Sequence, residues 1–156
     1  MNWRERIEPV LRPLIHNWWR MQRGATLGVR GIVEDTQGRV VLVKHTYVGG
    51  WHLPGGGVES GETVDFAMGR ELAEEVGVEL LEPAELLGVY ANHTHFRGDH
   101  VMVLKARSWQ VCETDNEGEI AAVEWFHPDA LPDDVSGGTG RRLAEFYGKA
   151  ETSQTW

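Results

Sequence analysis

Cysteine is nearly absent from the sequence. Cys112 is the only one, so no disulfide can close within the chain, and a reducing cytoplasm is the expected setting. No run of about 18 apolar residues occurs, the minimum for a bilayer-crossing helix. The N-terminal region lacks a continuous apolar stretch, so no secretory signal is expected there. Positive charge is scarce too: 15 Lys and Arg face 24 Asp and Glu, for a net charge of −9. A general DNA- or RNA-binding surface needs a basic stripe, and this balance argues against one. An anionic small molecule stays open as a ligand, because a bound cation can invert the local field. There is no internal repeat and no low-complexity block. What is present is ordinary for one globular domain with its own core: 156 residues, 41% hydrophobic and 25% charged.

The charge is unevenly spread. Residues 1–24 carry five arginines (Arg4, Arg6, Arg12, Arg20, Arg23) against Glu5 and Glu8, a net of +3. Ile7, Val10, Leu11, Leu14, Ile15 and Trp18 recur at helical spacing, which predicts an amphipathic helix over 7–22, with Pro13 an awkward interior residue. Such a basic extension suits packing or a homodimer contact, with contact at a membrane surface the lesser reading. The chain therefore divides into an extension (1–24), a main domain (25–150) and a flexible tail (151–156).

Within the main domain, 26–33 and 39–45 read as strands joined in a hairpin by the turn Glu34–Gly38. Further strands are predicted over 86–92, 100–106 and 120–126, the first two as a hairpin through Gly98. Gly137-Gly138-Thr139-Gly140 opens a last helix, expected over about 141–147. Strands, a helix, more strands and a final helix indicate a mixed α/β domain.

Residues 56–78 are the most tightly specified stretch. Thr63 suits an N-cap, Asp65 the first turn and Gly77 the C′ position of a helix. Met68, Leu72 and Val76 make its inward face. Glu71, Glu74 and Glu75 then fall at i, i+3 and i+4 on one face, and Arg70 pairs with Glu74 at i, i+4. Clustered carboxylates repel unless a cation lies among them, and hard divalent cations take oxygen ligands, so Mg²⁺ or Mn²⁺ is the natural candidate. Taken alone, a Glu-rich helix is usually just a solvated acidic face, with Arg70 as a salt-bridge partner. Just upstream, Pro54-Gly55-Gly56-Gly57 lets backbone carbonyls approach a ligand closely.

The pattern Gly56, five residues, Glu62, seven residues, Arg70-Glu71-Leu72-x-Glu74-Glu75-x-Gly77-Val78 resembles the Nudix box, and Trp51-x-Leu53-Pro54-Gly55-Gly56 ahead of it is typical of the same family. The resemblance implies an α/β/α sandwich around a mixed sheet. It also implies a divalent-metal-dependent pyrophosphohydrolase, with Mg²⁺ or Mn²⁺, in which water attacks phosphorus in a diphosphate linkage. The substrate class would be a nucleoside di- or triphosphate, a nucleoside diphosphate sugar or a related compound. By matching positions, Glu71, Glu74 and Glu75 would hold metal with the carbonyl of Gly55 or Gly56, and Glu62 and Arg70 would orient them. The general base would be a box glutamate or one from the loop 113–119, Glu119 before Glu117. Arg70, Glu74, Glu75 and Glu119 are thus the candidate catalytic residues. Arg30, Tyr47, Tyr90 and Arg97 are candidates for touching base, sugar or phosphate. His93 and His95 alternate on one segment near His100, but no third ligand completes a transition-metal site. Two other readings stand beside the enzyme: a non-catalytic nucleotide-binding regulatory module, and an RNA 5′-end pyrophosphohydrolase, which the negative charge disfavours.

Overall fold

The structure is a computed structural model, and it describes residues 24–114 and 118–156. The helix expected over 7–22, its dimer and membrane roles, and Glu117 lie outside the described residues. Among the described residues, seven strands and two helices follow in order: β1 (Thr26–Ile32), β2 (Val40–His45), α1 (Val64–Val76), β3 (Val78–Leu80), β4 (Glu85–Ala91), β5 (Asp99–Lys105), β6 (Trp109–Val111), β7 (Ile120–Phe126) and α2 (Gly137–Phe146). β5 is the centre of a mixed three-stranded sheet, parallel to β1 (Val29 opposite Met102) and antiparallel to β4 (Val89 opposite Met102). β2 pairs antiparallel with β7, and β3 with β6.

Strand alternation sorts the core into two layers. Val29, Val33, Val41 and Leu104 point to one side and pack on Ala67, Met68 and Leu72 of α1. Ile32, Val40, Leu42 and Val103 point to the other and meet Leu53 and Leu143 of α2. The result is a helix on each face, the α/β/α arrangement. Burial of each large aliphatic side chain contributes about 1.5–3 kcal/mol, so the two layers supply most of the fold's driving force. Gly31 lets α1 close on the sheet: a Cβ there would stand 3.0 Å from Leu72 Cδ2 and 3.1 Å from Met68 Cε.

β1 and β2 form only the turn end of the expected hairpin: Glu34 opposes Val40 in an antiparallel bridge and Val41 N–H donates to the Val33 carbonyl at 3.2 Å, but the strands do not pair along their length. The turn between them is present: the Asp35 carboxylate accepts from the Gln37 and Arg39 N–H groups at 2.9 Å. Both edges of β1 are nevertheless taken elsewhere. One edge carries β5. The other bonds the glycine loop, with Val29 N–H to the Gly56 carbonyl, Gly31 N–H to the Pro54 carbonyl and the Leu27 carbonyl to Val58 N–H, all at 2.8 Å. β2 is likewise held between β7 and residue His52.

Two further expectations are corrected. The last helix starts at Gly137, where Ser136 caps it by accepting from Thr139 N–H, rather than near Arg141. The segment 151–156 is bound rather than free. Ala91 N–H donates to the Gln154 carbonyl at 2.9 Å and Trp156 N–H to the Ala91 carbonyl at 3.0 Å, which lays the segment along the end of β4. Among the described residues, no helix is long and apolar enough to cross a membrane.

Candidate active site

α1 is bounded as its end residues dictate. The Thr63 hydroxyl accepts from Phe66 N–H at 3.2 Å, and Gly77 takes the left-handed conformation (φ 65°) that releases the chain into β3. Its sheet side is fixed by Ala67, Met68 and Leu72; Glu75 is buried on that same side, and Glu71 and Glu74 follow around the helix towards its exposed face, so the row meets the glycine loop at Gly55 and Gly56.

Arg70 organises this face. Its guanidinium grips Glu62 through Nε at 2.8 Å and Nη2 at 3.0 Å, reaches Glu71 Oε1 at 2.8 Å, and lies 3.5 Å from Glu74 Oε2. Nη2 also donates to the Gly57 carbonyl at 3.2 Å. The i, i+4 pairing with Glu74 is thus the weakest of its contacts, where helical spacing alone put it first; the loop residue Glu62 meets the guanidinium side-on and takes two bonds. The hydrogen bond to Glu62, followed by the contacts with Glu71, raises the Arg70 pKa well above its ordinary value, although partial burial opposes it. Glu62 moves the other way, held below the carboxylate range first by its bond to Arg70 and then by Glu59 N–H. The Glu74 side chain is 46% exposed against 13% for Glu71, so Glu74 is the more open of the two.

Glu75 is the buried carboxylate. Its Oε2 accepts from Gly55 N–H at 2.7 Å, and its Oε1 lies 3.7 Å from His45 Nε2. Burial pushes its pKa up to about 7; the Gly55 bond and Arg30 oppose this, while the charges of Glu71 and Glu119 add to it. Glu71 is raised as well, chiefly by burial, with Arg70 opposing. Arg30, on β1, sends its guanidinium to the carbonyls of Leu53, at 3.2 Å, and Gly55, and its pKa is lowered by burial. Of the two carbonyls expected to face a cation, Gly56 already accepts from Val29 N–H and Gly55 from Arg30, leaving each one further lone pair.

His45 is the residue that sequence reasoning missed. It ends β2, its side chain is buried, and its Nδ1 has no hydrogen-bond partner among the described residues. Burial first, then Arg30 and His52, lowers its pKa, with Glu119 opposing. The residues Lys44-His45 carry no spacing signal; only the register of β2 against β7 brings the ring to Glu75.

The remaining candidates divide. Glu119 stands exposed at the rim, its backbone carbonyl accepting from Thr46 N–H at 2.9 Å, and its charge acts on Glu75, His45 and Tyr47. Tyr47 is exposed with its ring 5.3 Å from that of His45. Arg30 lines a cavity beside the cluster. Tyr90 does not reach it: it is buried in the second core layer and donates its hydroxyl to Glu145 at 3.2 Å, so a substrate contact for Tyr90 is withdrawn. Arg97 is exposed on the loop 92–98 and contributes nothing to the cavity lining. His93 and His100 lie ring to ring at 5.7 Å.

Among the described residues, no three acidic, imidazole or thiol groups converge to the spacing of a metal site. Arg70 instead bridges Glu71 and Glu74. The donor set nonetheless suits a hard cation. All the donors are oxygens, and the carboxylates Glu62, Glu71, Glu74, Glu75 and Glu119 outnumber the guanidiniums of Arg30 and Arg70. A Cβ on Gly56 would collide with the Glu71 carboxylate, so this glycine keeps the loop closed on the helix.

Comparison with known proteins bears on this geometry. A family model described as the NUDIX domain matches residues 24–146. The chain is 35% identical over 123 residues to a MutT-like protein of Streptomyces ambofaciens, covering 78% of this chain and 71% of that protein. It is 36% identical over 87 residues to the ADP-ribose pyrophosphatase of Methanocaldococcus jannaschii, 54% of this chain and 50% of that one. Among solved structures, the MutT NUDIX hydrolase from Burkholderia pseudomallei is similar with a TM-score of 0.65 at 29% identity, covering 76% of this chain and 95% of that chain.

Proposed function

The chain belongs to the Nudix hydrolase family, and on that premise we propose that it is a divalent-metal-dependent pyrophosphohydrolase acting on a nucleotide-type diphosphate. The observation that carries the reading is the single constellation of Glu62, Arg70, Glu71, Glu74 and Glu75 closed against Gly55 and Gly56. Glu71, Glu74 and Glu75, with a glycine-loop carbonyl, would hold Mg²⁺ or Mn²⁺. Such an ion neutralises phosphate charge and lowers the pKa of bound water.

The chain's own groups do the rest. Arg70 and Glu62 fix the directions of the Glu71 and Glu74 carboxylates, and Gly55 N–H fixes Glu75. Arg30 places a positive charge where the cavity meets the cluster, suited to a phosphate oxygen. With the three helix carboxylates committed as ligands and Glu62 bound to Arg70, Glu119 is, among the described residues of the cluster, the carboxylate left to take the proton from the attacking water. In-line attack then breaks a P–O bond of the anhydride, the electron pair leaves with the bridging oxygen, and a monophosphate-bearing product departs. One relative is named an ADP-ribose pyrophosphatase; a base-bearing diphosphate is the class assigned here.

The test is a panel of nucleoside di- and triphosphates and nucleoside diphosphate sugars incubated with Mg²⁺ and then Mn²⁺, with phosphate, diphosphate and mononucleotide measured. Turnover that is lost on chelation, and reduced at least ~10²-fold in Glu74→Gln, is expected. Confirmed nucleotide binding without turnover of any compound would favour the regulatory module instead.

A further inference from the structure

A cavity of about 680 Å³ adjoins the acidic cluster. Arg30 and Gly56 line it beside the cluster, and Asn92, Phe96, Asp99 and Trp156 contribute to the remainder of its lining. Thr26 binds Asp99 Oδ1 through its hydroxyl at 2.6 Å and lies four residues before Arg30 on β1, roughly 13 Å at the rise of a strand. That span separates a diphosphate held at Arg30 from a group lying at the far end. The far end is aromatic with a polar edge. Phe96 is 51% exposed although large and apolar, and Asn92 Nδ2 bonds Asp99 Oδ2 at 2.8 Å, leaving carboxylate lone pairs and the Asn92 carbonyl for N–H donors.

Trp156 is held at this cavity by an ion pair that is expensive to bury. Arg142 is 1% exposed; its Nη1 donates to the Thr155 carbonyl at 2.7 Å and its Nη2 to Glu145 Oε1 at 2.6 Å. The same Glu145 oxygen accepts from Ser153 N–H at 2.9 Å. The Arg142 guanidinium lies 4.0 Å from the Tyr90 ring centroid and 5.7 Å from that of Trp156. Gly138 leaves the space for the indole: a Cβ there would overlap its Nε1. Buried ion pairs are poor sources of net stability. Here Arg142 and Glu145 both reach into residues 153–156.

We propose that Phe96 and Trp156 are the walls that receive the aromatic base of the substrate, with Arg142 and Glu145 as positioning residues that hold Trp156 there. The proposal rests on the reading of the site as a nucleotide pyrophosphohydrolase. An aromatic base is preferred to a bare sugar because two aromatic faces combine with an acceptor-rich edge, and stacking on such faces tolerates any base while the edge selects among them.

Calorimetry with the nucleoside diphosphates and with inorganic diphosphate, alongside kcat and KM on the best nucleotide of the panel, tests the assignment. Trp156→Ala should weaken the best-binding nucleotide about tenfold, and Trp156→Phe less than about threefold, as loss and partial retention of one stacking face require. Inorganic diphosphate affinity should stay within about twofold, and the kinetic loss should fall on KM rather than kcat. Arg142→Lys should likewise raise KM without weakening inorganic diphosphate. Melting temperatures identify any variant that has lost its fold, and Trp156→Phe, which keeps an aromatic ring, carries the test in that case. Equal nucleotide affinity in the wild type and Trp156→Ala, or equal loss for inorganic diphosphate, overturns the wall. A wild type that binds nucleotides through Trp156 but hydrolyses none overturns the enzymatic reading and leaves the wall standing; one that binds no nucleotide overturns the wall.

Discussion

Glu75→Gln should make the metal-free protein more stable while disabling it. Glu75 carries a pKa of about 7 in the fold against an ordinary 4.5, chiefly because it is buried. A carboxyl whose pKa is higher folded than unfolded holds its proton more tightly in the fold, so folding favours the neutral form. The wild type therefore loses stability as pH rises from 4.5 through 7, and carries the whole penalty above that. At about 1.4 kcal/mol per pKa unit the penalty is on the order of 3 kcal/mol. Glutamine removes the titration but keeps a carbonyl oxygen for Gly55 N–H, so the bond that anchors the side chain survives. Urea unfolding with a chelator present, at pH 5, 6, 7 and 8, should show Glu75→Gln ahead by on the order of 2–3 kcal/mol at pH 8, with the gap closing towards pH 4.5. Adding Mg²⁺ should then stabilise the wild type more than the variant, because only the wild type retains the full ligand set. A chelated variant less stable than the wild type at pH 8, or a gap that does not change with pH, refutes the reasoning.

Other substitutions probe the rest of the constellation. Gly56→Ala should displace the Glu71 carboxylate from the loop and lower kcat at least ~10²-fold, as loss of a charge-stabilising group does, read from initial rates at saturating substrate. Arg70→Lys keeps the charge but cannot grip Glu62 through two nitrogens; kcat should fall roughly tenfold and the Mg²⁺ requirement should rise, seen in a metal titration. Thr63→Ala removes the α1 cap and should cost about 1 kcal/mol, a fall of about 2–4 °C in melting temperature, with kcat unchanged.

How far the site could be read from the chain follows from the range of each interaction. α1, with its Thr63 cap, its Gly77 end and its three glutamates, was legible because helical period and caps act within a few residues. The glycine loop was legible because only residues without a Cβ can lie against Glu71 as Gly56 does. Contacts set by strand register were not. Val33 and Val40 lie close in sequence, so a hairpin was the local expectation, yet Gly56 and Pro54 compete for β1 from more than twenty residues away and win its free edge. His45 reaches Glu75 across thirty residues, and no local pattern announces it. Tyr90 and Trp156 show the limit most clearly. As single letters, Tyr90 looked like a binding residue and 151–156 like a loose end. A buried guanidinium from α2 reverses both: it stacks on Tyr90 in the core and, through the Thr155 carbonyl, holds residues 153–156 in place. The catalytic face therefore rests on short-range rules that one stretch of sequence can state, whereas the substrate-selecting cavity is assembled from β1, the loop after β4 and the segment beyond α2. Chains that share the first can differ freely in the second, so the assignment of substrate depends on residues such as Phe96 and Trp156 rather than on the glutamates of α1.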